Sequence, residues 1–270
     1  MANRSMRKKR NPFVNRCDTA GTVWQGLRRW YSTTLGRRLE TQEQTLLDEV
    51  LCDLFGYHLL HVGHPGQMGY LRNSRVRHRM VMDVCGQAGE EGKEYFCGEP
   101  HILPVRGDSL DVIVLPHILE FSEYPHEVLR EVERTLVPEG HVVILGFNPV
   151  SLWNLWRRGA GWRGRLPWCG HFIRLSRLRD WLFLLGFEVV VTRYYFYRPP
   201  VQTESLLRRL RFIERVGRRL WPVLGGGYVL VARKEVIAMT PIRPRWQPRR
   251  KIAAAGLAEP LSPPRNSVPE

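Results

Sequence analysis

Cysteine is scarce in this sequence and never paired at short range. Cys17, Cys52, Cys85, Cys97 and Cys169 are scattered through 270 residues without a CxxC. That spacing argues against a disulfide framework and a structural zinc site, and it points to a reducing cytoplasm. Long hydrophobic runs are missing too. The most apolar stretch, Trp181 to Val191, is interrupted by Gly186 and Glu188 and reaches about half the length that spans a bilayer. No transmembrane span is expected, and the basic start MANRSMRKKRNPFVNRCD is followed by no apolar stretch of signal-peptide length. Acidic residues are the third deficit. Twenty-six Asp and Glu against 41 Lys and Arg leave a net charge of +15, which attracts nucleic acid or an anionic surface.

What is present is enough for one sizeable core, at 43% hydrophobic residues. Residues 1–20 carry Arg4, Arg7, Lys8, Lys9 and Arg10, and 236–270 are rich in Pro and Arg. Such segments bury too little apolar surface to offset their ordering entropy, so both are expected to be flexible tails. Residues 21–56 read as N-terminal helices. Leu46, Leu47, Val50, Leu51 and Leu54 form a helical stripe with Thr41 and Gln44 as a capping box.

From 57 to 235 the pattern alternates. Tyr57–Val62 and Arg79–Val84 read as strands, and LDVIVLPH from Leu110 is apolar enough to be a strand covered on both faces. YPHEVLREVERTLVPEG reads as a helix stopped by Pro138 and Gly140, and HVVILGF as the next strand. A Trp- and Arg-rich insertion at about 150–171 precedes the helix LSRLRDWLFLLG and the strands FEVVVTRYYFY and GGYVLVARK. An Arg-rich amphipathic segment from Glu204 to Leu220 separates those two strands. Strands joined by helices of this length imply right-handed crossovers and a parallel sheet.

The stretch from Cys97 to Pro149 contains Gly98, Glu99, Pro100, Leu103, Pro104, Asp111, His117, Leu129 to Glu131, Arg134, Leu136, Pro138 and Gly140 at fixed spacings. In this it resembles class I S-adenosylmethionine-dependent methyltransferases of the type 11 branch. LPHILEF, LGFNPVSLW and LGFEV resemble bacterial methyltransferase-domain proteins of undefined substrate. The resemblance covers roughly 45–235. It implies a Rossmann-like α/β fold with a seven-stranded, mostly parallel sheet, one antiparallel strand and helices on both faces, and S-adenosylmethionine as cofactor.

The same resemblance assigns site residues. Asp83, twenty residues after Gly63, would hold the ribose hydroxyls as the acid does in dinucleotide folds, or simply cap a strand end. Glu99 would lie near the adenine amino group in the loop after the third strand. Gly63 and Gly66 would line the first turn, and the backbone from Leu115 to His117 would line the pocket. The first motif departs from the family: His61 replaces its acid, and Pro65 and Gln67 replace its second and third glycines. Pro65 lacks an N–H donor and has a fixed φ, and a favourable charge at the methionine ammonium is lost.

His58, His61 and His64 fall across a strand and turn, where alternate side chains diverge, and no acid or Cys completes a ligand set, so no metal is expected. His117 and Glu120 follow the fourth strand, where such sheets place ligands. His117 borders the methyl-transfer pocket, accepts a proton, or fixes a loop, and no catalytic residue is assigned. The Trp and Arg cluster from Trp153 to Arg179 admits base stacking with phosphate contact, a lipid headgroup contact, or a substrate cap with packed Trp and solvated Arg.

The function expected is methyl transfer from S-adenosylmethionine to an unidentified acceptor. The alternative is a degraded methyltransferase-fold protein that binds nucleic acid or an anionic partner through its basic segments. An RNA methyltransferase would fit the charge. However, LPHILEF stands where base amino-group methylation places Asn/Asp-Pro-Pro-Tyr.

Overall fold

The computed structural model describes residues 20–63, 71, 73–84, 94–151, 153–154, 166–200 and 209–235. Gly66, Pro65, Gln67 and His64 lie outside these, as do residues 1–19 and 236–270 of the expected tails.

Two helices come first, α1 (Ala20–Tyr31) and α2 (Thr34–Leu51). The hydroxyl of Thr33 accepts the Gly36 N–H and caps α2, satisfying one of the N–H groups that a helix start leaves open. Thr41 is therefore not a cap. It sits inside α2 and its hydroxyl bonds the Arg37 carbonyl. The polar face of α2 made the start of its apolar stripe look like its beginning.

Seven strands follow in the order β3-β2-β1-β4-β5-β7-β6: β1 (His58–Val62), β2 (His78–Asp83), β3 (Glu94–Cys97), β4 (Leu110–Pro116), β5 (Leu136–Phe147), β6 (Phe187–Tyr195) and β7 (Gly227–Lys234). β7 runs antiparallel to β5 and β6, and the other pairings are parallel. This is the expected mostly parallel sheet with one reversed strand. Between the strands lie α3 (Ile118–Phe121), α4 (Pro125–Thr135), α5 (Leu175–Leu184) and α6 (Arg211–Leu220). α4 ends earlier than Pro138 and Gly140 imply. Leu136 already has extended dihedrals, and it pairs with Leu110.

The apolar runs behave as two-sided strands. Val112, Ile113, Val114 and Leu115 are all fully buried, each contributing about 1.5–3 kcal/mol relative to exposure. Alternation divides them. Ile113, Leu115, Val142, Ile144 and Leu230 join α1, α3, α4 and α5 in one core, while Val112, Val114, Val143, Leu145 and Val229 pack with Leu47, Val50 and Leu51 of α2 in the other. Helix α2 contributes to both, through Leu35 and Leu39 on the first side and Leu47 to Leu51 on the second. It therefore crosses the edge of the sheet near its midpoint, Glu43.

Among the described residues, no helix is long and apolar enough to cross a membrane. Cys52 and Cys97 are free. Cys169 is disulfide-bonded.

Candidate cofactor site

The carboxyl ends of the parallel strands are where open α/β sheets hold ligands. At that edge β1 ends at Val62, and Gly63 donates its N–H to the Met82 carbonyl of β2 at 2.7 Å. Gly63 has φ +74, a left-handed conformation that side chains with a Cβ resist. A Cβ there would also lie 2.5 Å from Ile118 Cδ1 and 3.6 Å from the Trp24 ring. Gly63→Ala is accordingly expected to cost about 2–4 kcal/mol, combining the conformational and overpacking terms. A urea unfolding curve checks this.

Asp83 closes β2 and is 5% exposed. Its carboxylate accepts a hydrogen bond at 2.7 Å from Arg28 Nη2 on α1, so a cation accompanies the desolvated charge. The Gly98 N–H, at the end of β3, donates to the Asp83 carbonyl at 3.2 Å. Asp83 and the Glu99 loop are thus brought side by side. Glu99 itself points outward, with a side chain 70% exposed and 3.2 Å from His101 Nε2.

That loop is held from behind by the motif residues of α4. Glu131 accepts the Leu103 N–H at 3.0 Å, and Arg134 donates to the carbonyls of Leu103 and Val105 at 3.1 and 3.0 Å while pairing with Glu131 at 2.8 Å. The Arg134 bond, then the Leu103 N–H, hold the Glu131 carboxyl below its ordinary range despite partial burial. Asp111 has a comparable duty: its Oδ2 accepts the N–H groups of Tyr57 and His58 at 2.9 Å each and fixes the start of β1. Sequence reasoning counted these residues only as spacing.

His61, where the family has an acid, is 1% exposed in β1. His58 lies against His78, with 3.2 Å between their Nδ1 atoms. Leu115 is buried in the core and pairs with Ile144.

His117 follows β4 in a left-handed conformation, φ 56, with no exposure. Its Nδ1 faces Glu120 Oε1 at 3.2 Å and its Nε2 faces Glu43 Oε1 at 3.1 Å. Glu43 also accepts the hydroxyls of Tyr195 at 3.0 Å and Tyr31 at 3.1 Å, and Glu120 accepts the Phe147 N–H at 2.6 Å. The His117 ring stacks on Phe147 with centroids 4.1 Å apart. Of the roles open to His117, this is the geometry of loop fixing: both ring nitrogens face carboxylates inside the chain. Glu43, Tyr31 and Tyr195 went unnoticed in the sequence. The available signal was an acid interrupting the apolar side of α2.

Burial alone would depress the His117 pKa. The Glu43 charge, then the hydrogen bonds to Glu120 and Glu43, outweigh it and raise the value from 6.5 to about 9. The folded chain thus holds a proton that the unfolded chain releases near 6.5. The stabilisation is complete below that pH and is lost as pH rises through about 9, on the order of 3 kcal/mol. Urea unfolding of the native chain across this window is expected to show the loss, and His117→Gln is expected to lack it.

The insertion is partly described. Trp153 and Trp168 are 2% and 4% exposed, stacked edge-on at 5.1 Å, and Trp153 donates its N–H to the Arg198 carbonyl at 2.7 Å. These two rings pack against the domain and are not free to stack on bases. A separate cleft of about 400 Å³ lies between α2, β6 and α6, lined by Gln42, Glu49, Thr192, Tyr197, Glu214 and Arg218 among others. Among the described residues, no cluster of three or more His, Cys, Asp or Glu could hold a metal ion.

Residues 75–144 match the family model described as a methyltransferase domain. The sheet order and that match agree. The described part of the chain has the Rossmann-like fold seen in class I methyltransferases. The uncharacterized protein YafS of Escherichia coli K12 is 28% identical over 222 residues, covering 82% of this chain and 86% of that one. Among solved structures, the chain is similar to one in the complex between the Trm112 methyltransferase activator and a methyltransferase of Haloferax volcanii. The TM-score is 0.53 at 14% identity, over 79% of this chain and 98% of that one. A SAM-dependent methyltransferase of Thermotoga maritima gives a TM-score of 0.50 at 15% identity, over 73% and 95%. These two likenesses concern the fold, which by itself does not fix an activity.

The residues of this domain fit the adenosine half of S-adenosylmethionine better than the methionine half. A buried carboxylate ends β2 beside a pinned loop. The position at the end of β1 carries the His61 ring instead of a second carboxylate.

Proposed function

We propose that this protein transfers a methyl group from S-adenosylmethionine to an acceptor, acting in the cytoplasm. The cofactor supplies the methyl group as a sulfonium substituent. The chain's part is to hold adenosine and align the acceptor, and alignment accounts for much of the acceleration in such reactions. Asp83 takes the ribose hydroxyls, the loop from Gly98 to Leu103 borders the adenine with Glu99 at its rim, Gly63 serves the methionine portion together with Gly66, which lies outside the described residues, and the backbone of Leu115 to His117 backs the pocket. The buried Asp83 carboxylate, poised beside Gly98 and neutralised by Arg28, is the observation that carries this reading. Ligand binding on this reading displaces Arg28, and α1 serves as the cover of the site. The acceptor enters beneath the N-terminal helices and the Trp/Arg-rich insertion.

A second reading is favoured by specific contacts. Trp24 and Ile118 close over Gly63, Arg28 occupies Asp83, and His61 stands where an acid would serve the ammonium. A protein that retains the fold without the cofactor would look like this, and would hold a nucleic acid or another anionic partner through its basic segments. Titration calorimetry with S-adenosylmethionine and S-adenosylhomocysteine separates the two. Saturable binding of both supports the transferase; absence of heat from folded protein supports the binding module.

A further inference from the structure

Away from the strand ends, apolar exposure and positive charge coincide at the end of α6. Val216 is 40% exposed, Leu220 61%, Trp221 53% and Val223 51%. They occupy the last turns of α6 and the 3-10 turn Pro222–Leu224 that follows. Arg209, Arg218 and Arg219 are exposed in the same stretch, and no ion pair among the described residues neutralises them.

Glu214 is the only acid between positions 209 and 223, and it faces inward. It is 8% exposed, bonded by Arg198 Nε at 3.1 Å and Gln42 Nε2 at 2.7 Å. Gly217 lies against the Tyr197 side chain, which marks the packed face of the helix. The outer face therefore offers arginine and apolar side chains without a single exposed carboxylate.

Isolated exposed apolar residues are ordinary. An indole, a leucine and two valines within eight residues, rimmed by unpaired arginines, make a contiguous patch with a chemistry of its own. Phosphates of nucleic acid would satisfy the arginines and leave the leucine and valines in water. An anionic bilayer satisfies both, because amphipathic helices seat Trp and Leu at the acyl boundary while Arg reaches lipid phosphates. Such a surface also attracts a chain of net charge +15.

We propose that residues 209–223 dock this protein on the surface of an anionic phospholipid bilayer, with Leu220 and Trp221 at the acyl boundary and Arg218 and Arg219 on the headgroups. The docking does not depend on methyl transfer.

Co-sedimentation of the full chain with vesicles tests it, using phosphatidylcholine alone and equal parts phosphatidylcholine and phosphatidylglycerol. Binding is expected to the mixed vesicles only. The pair R218Q/R219Q should weaken it about twentyfold, and L220S/W221S about tenfold or more. Since both apolar side chains are more than half exposed, the far-UV spectrum should stay native, and the single variant W221S provides a milder version of the same test. Binding that L220S/W221S leaves unchanged would mean that other basic segments hold the membrane, and would overturn the proposal. So would failure of the native chain to bind, or loss of single-stranded RNA binding in these variants with vesicle binding intact.

Discussion

Glu43→Ala is expected to lower the unfolding free energy by about 3–5 kcal/mol, the range found when one partner of a buried ion pair is removed. Its two oxygens accept the Tyr31 and Tyr195 hydroxyls and face Nε2 of His117, all inside the protein. Truncation leaves a buried imidazolium beside Glu120 and removes the carboxylate acceptor of two buried tyrosine hydroxyls. The melting temperature should fall by about 10 °C. Glu43→Gln keeps an acceptor for the tyrosines and gives up only the charge, so its cost should be about half as large. Thermal denaturation of both variants beside the native chain checks the order. Unchanged or increased stability in Glu43→Ala would show that the acid is strained for chemistry rather than spent on holding α2 across the sheet edge.

The second large effect concerns binding. Asp83→Ala should weaken S-adenosylhomocysteine binding by about a hundredfold or more, since it removes two hydrogen bonds to a charged acceptor at about 1.5–3 kcal/mol each. Arg28→Ala should move affinity the other way, by about fivefold, because the Arg28–Asp83 contact no longer has to be broken. The opposite signs distinguish a ligand site from a structural pair. Were the pair only holding α1 in place, both substitutions would loosen the helix alike and neither would change ligand affinity selectively. Calorimetric titration with far-UV spectra as a folding control makes the comparison.

The sheet was legible because its chemistry is local and repetitive. The run from Leu110 to Pro116 can be buried on both faces only in a sheet sandwiched by helices, Asp83 follows from its spacing from Gly63, and Gly98 follows from the resemblance to the methyltransferase pattern. What escaped was long-range. The motif acid Glu131 and the motif Arg134 look like surface residues of an amphipathic helix until the loop from Leu103 to Val105 is seen to depend on them. Glu43 meets His117 across 74 positions and Tyr195 across 152, and no periodicity encodes such a meeting. The capping box at Thr41 failed for a related reason. Leu35 and Leu39 pack on the opposite face of the sheet from Leu47 and Leu51, so one apolar stripe could not reveal the whole length of α2.

The cover over Asp83 is the feature on which the functional account turns. A crystal structure of the protein grown with S-adenosylhomocysteine tests it most directly. The account predicts Arg28 withdrawn, the ribose hydroxyls on the Asp83 carboxylate and the adenine against the loop from Gly98 to Leu103. A structure with Arg28 still on Asp83, Trp24 still over Gly63 and no ligand at this edge would contradict it.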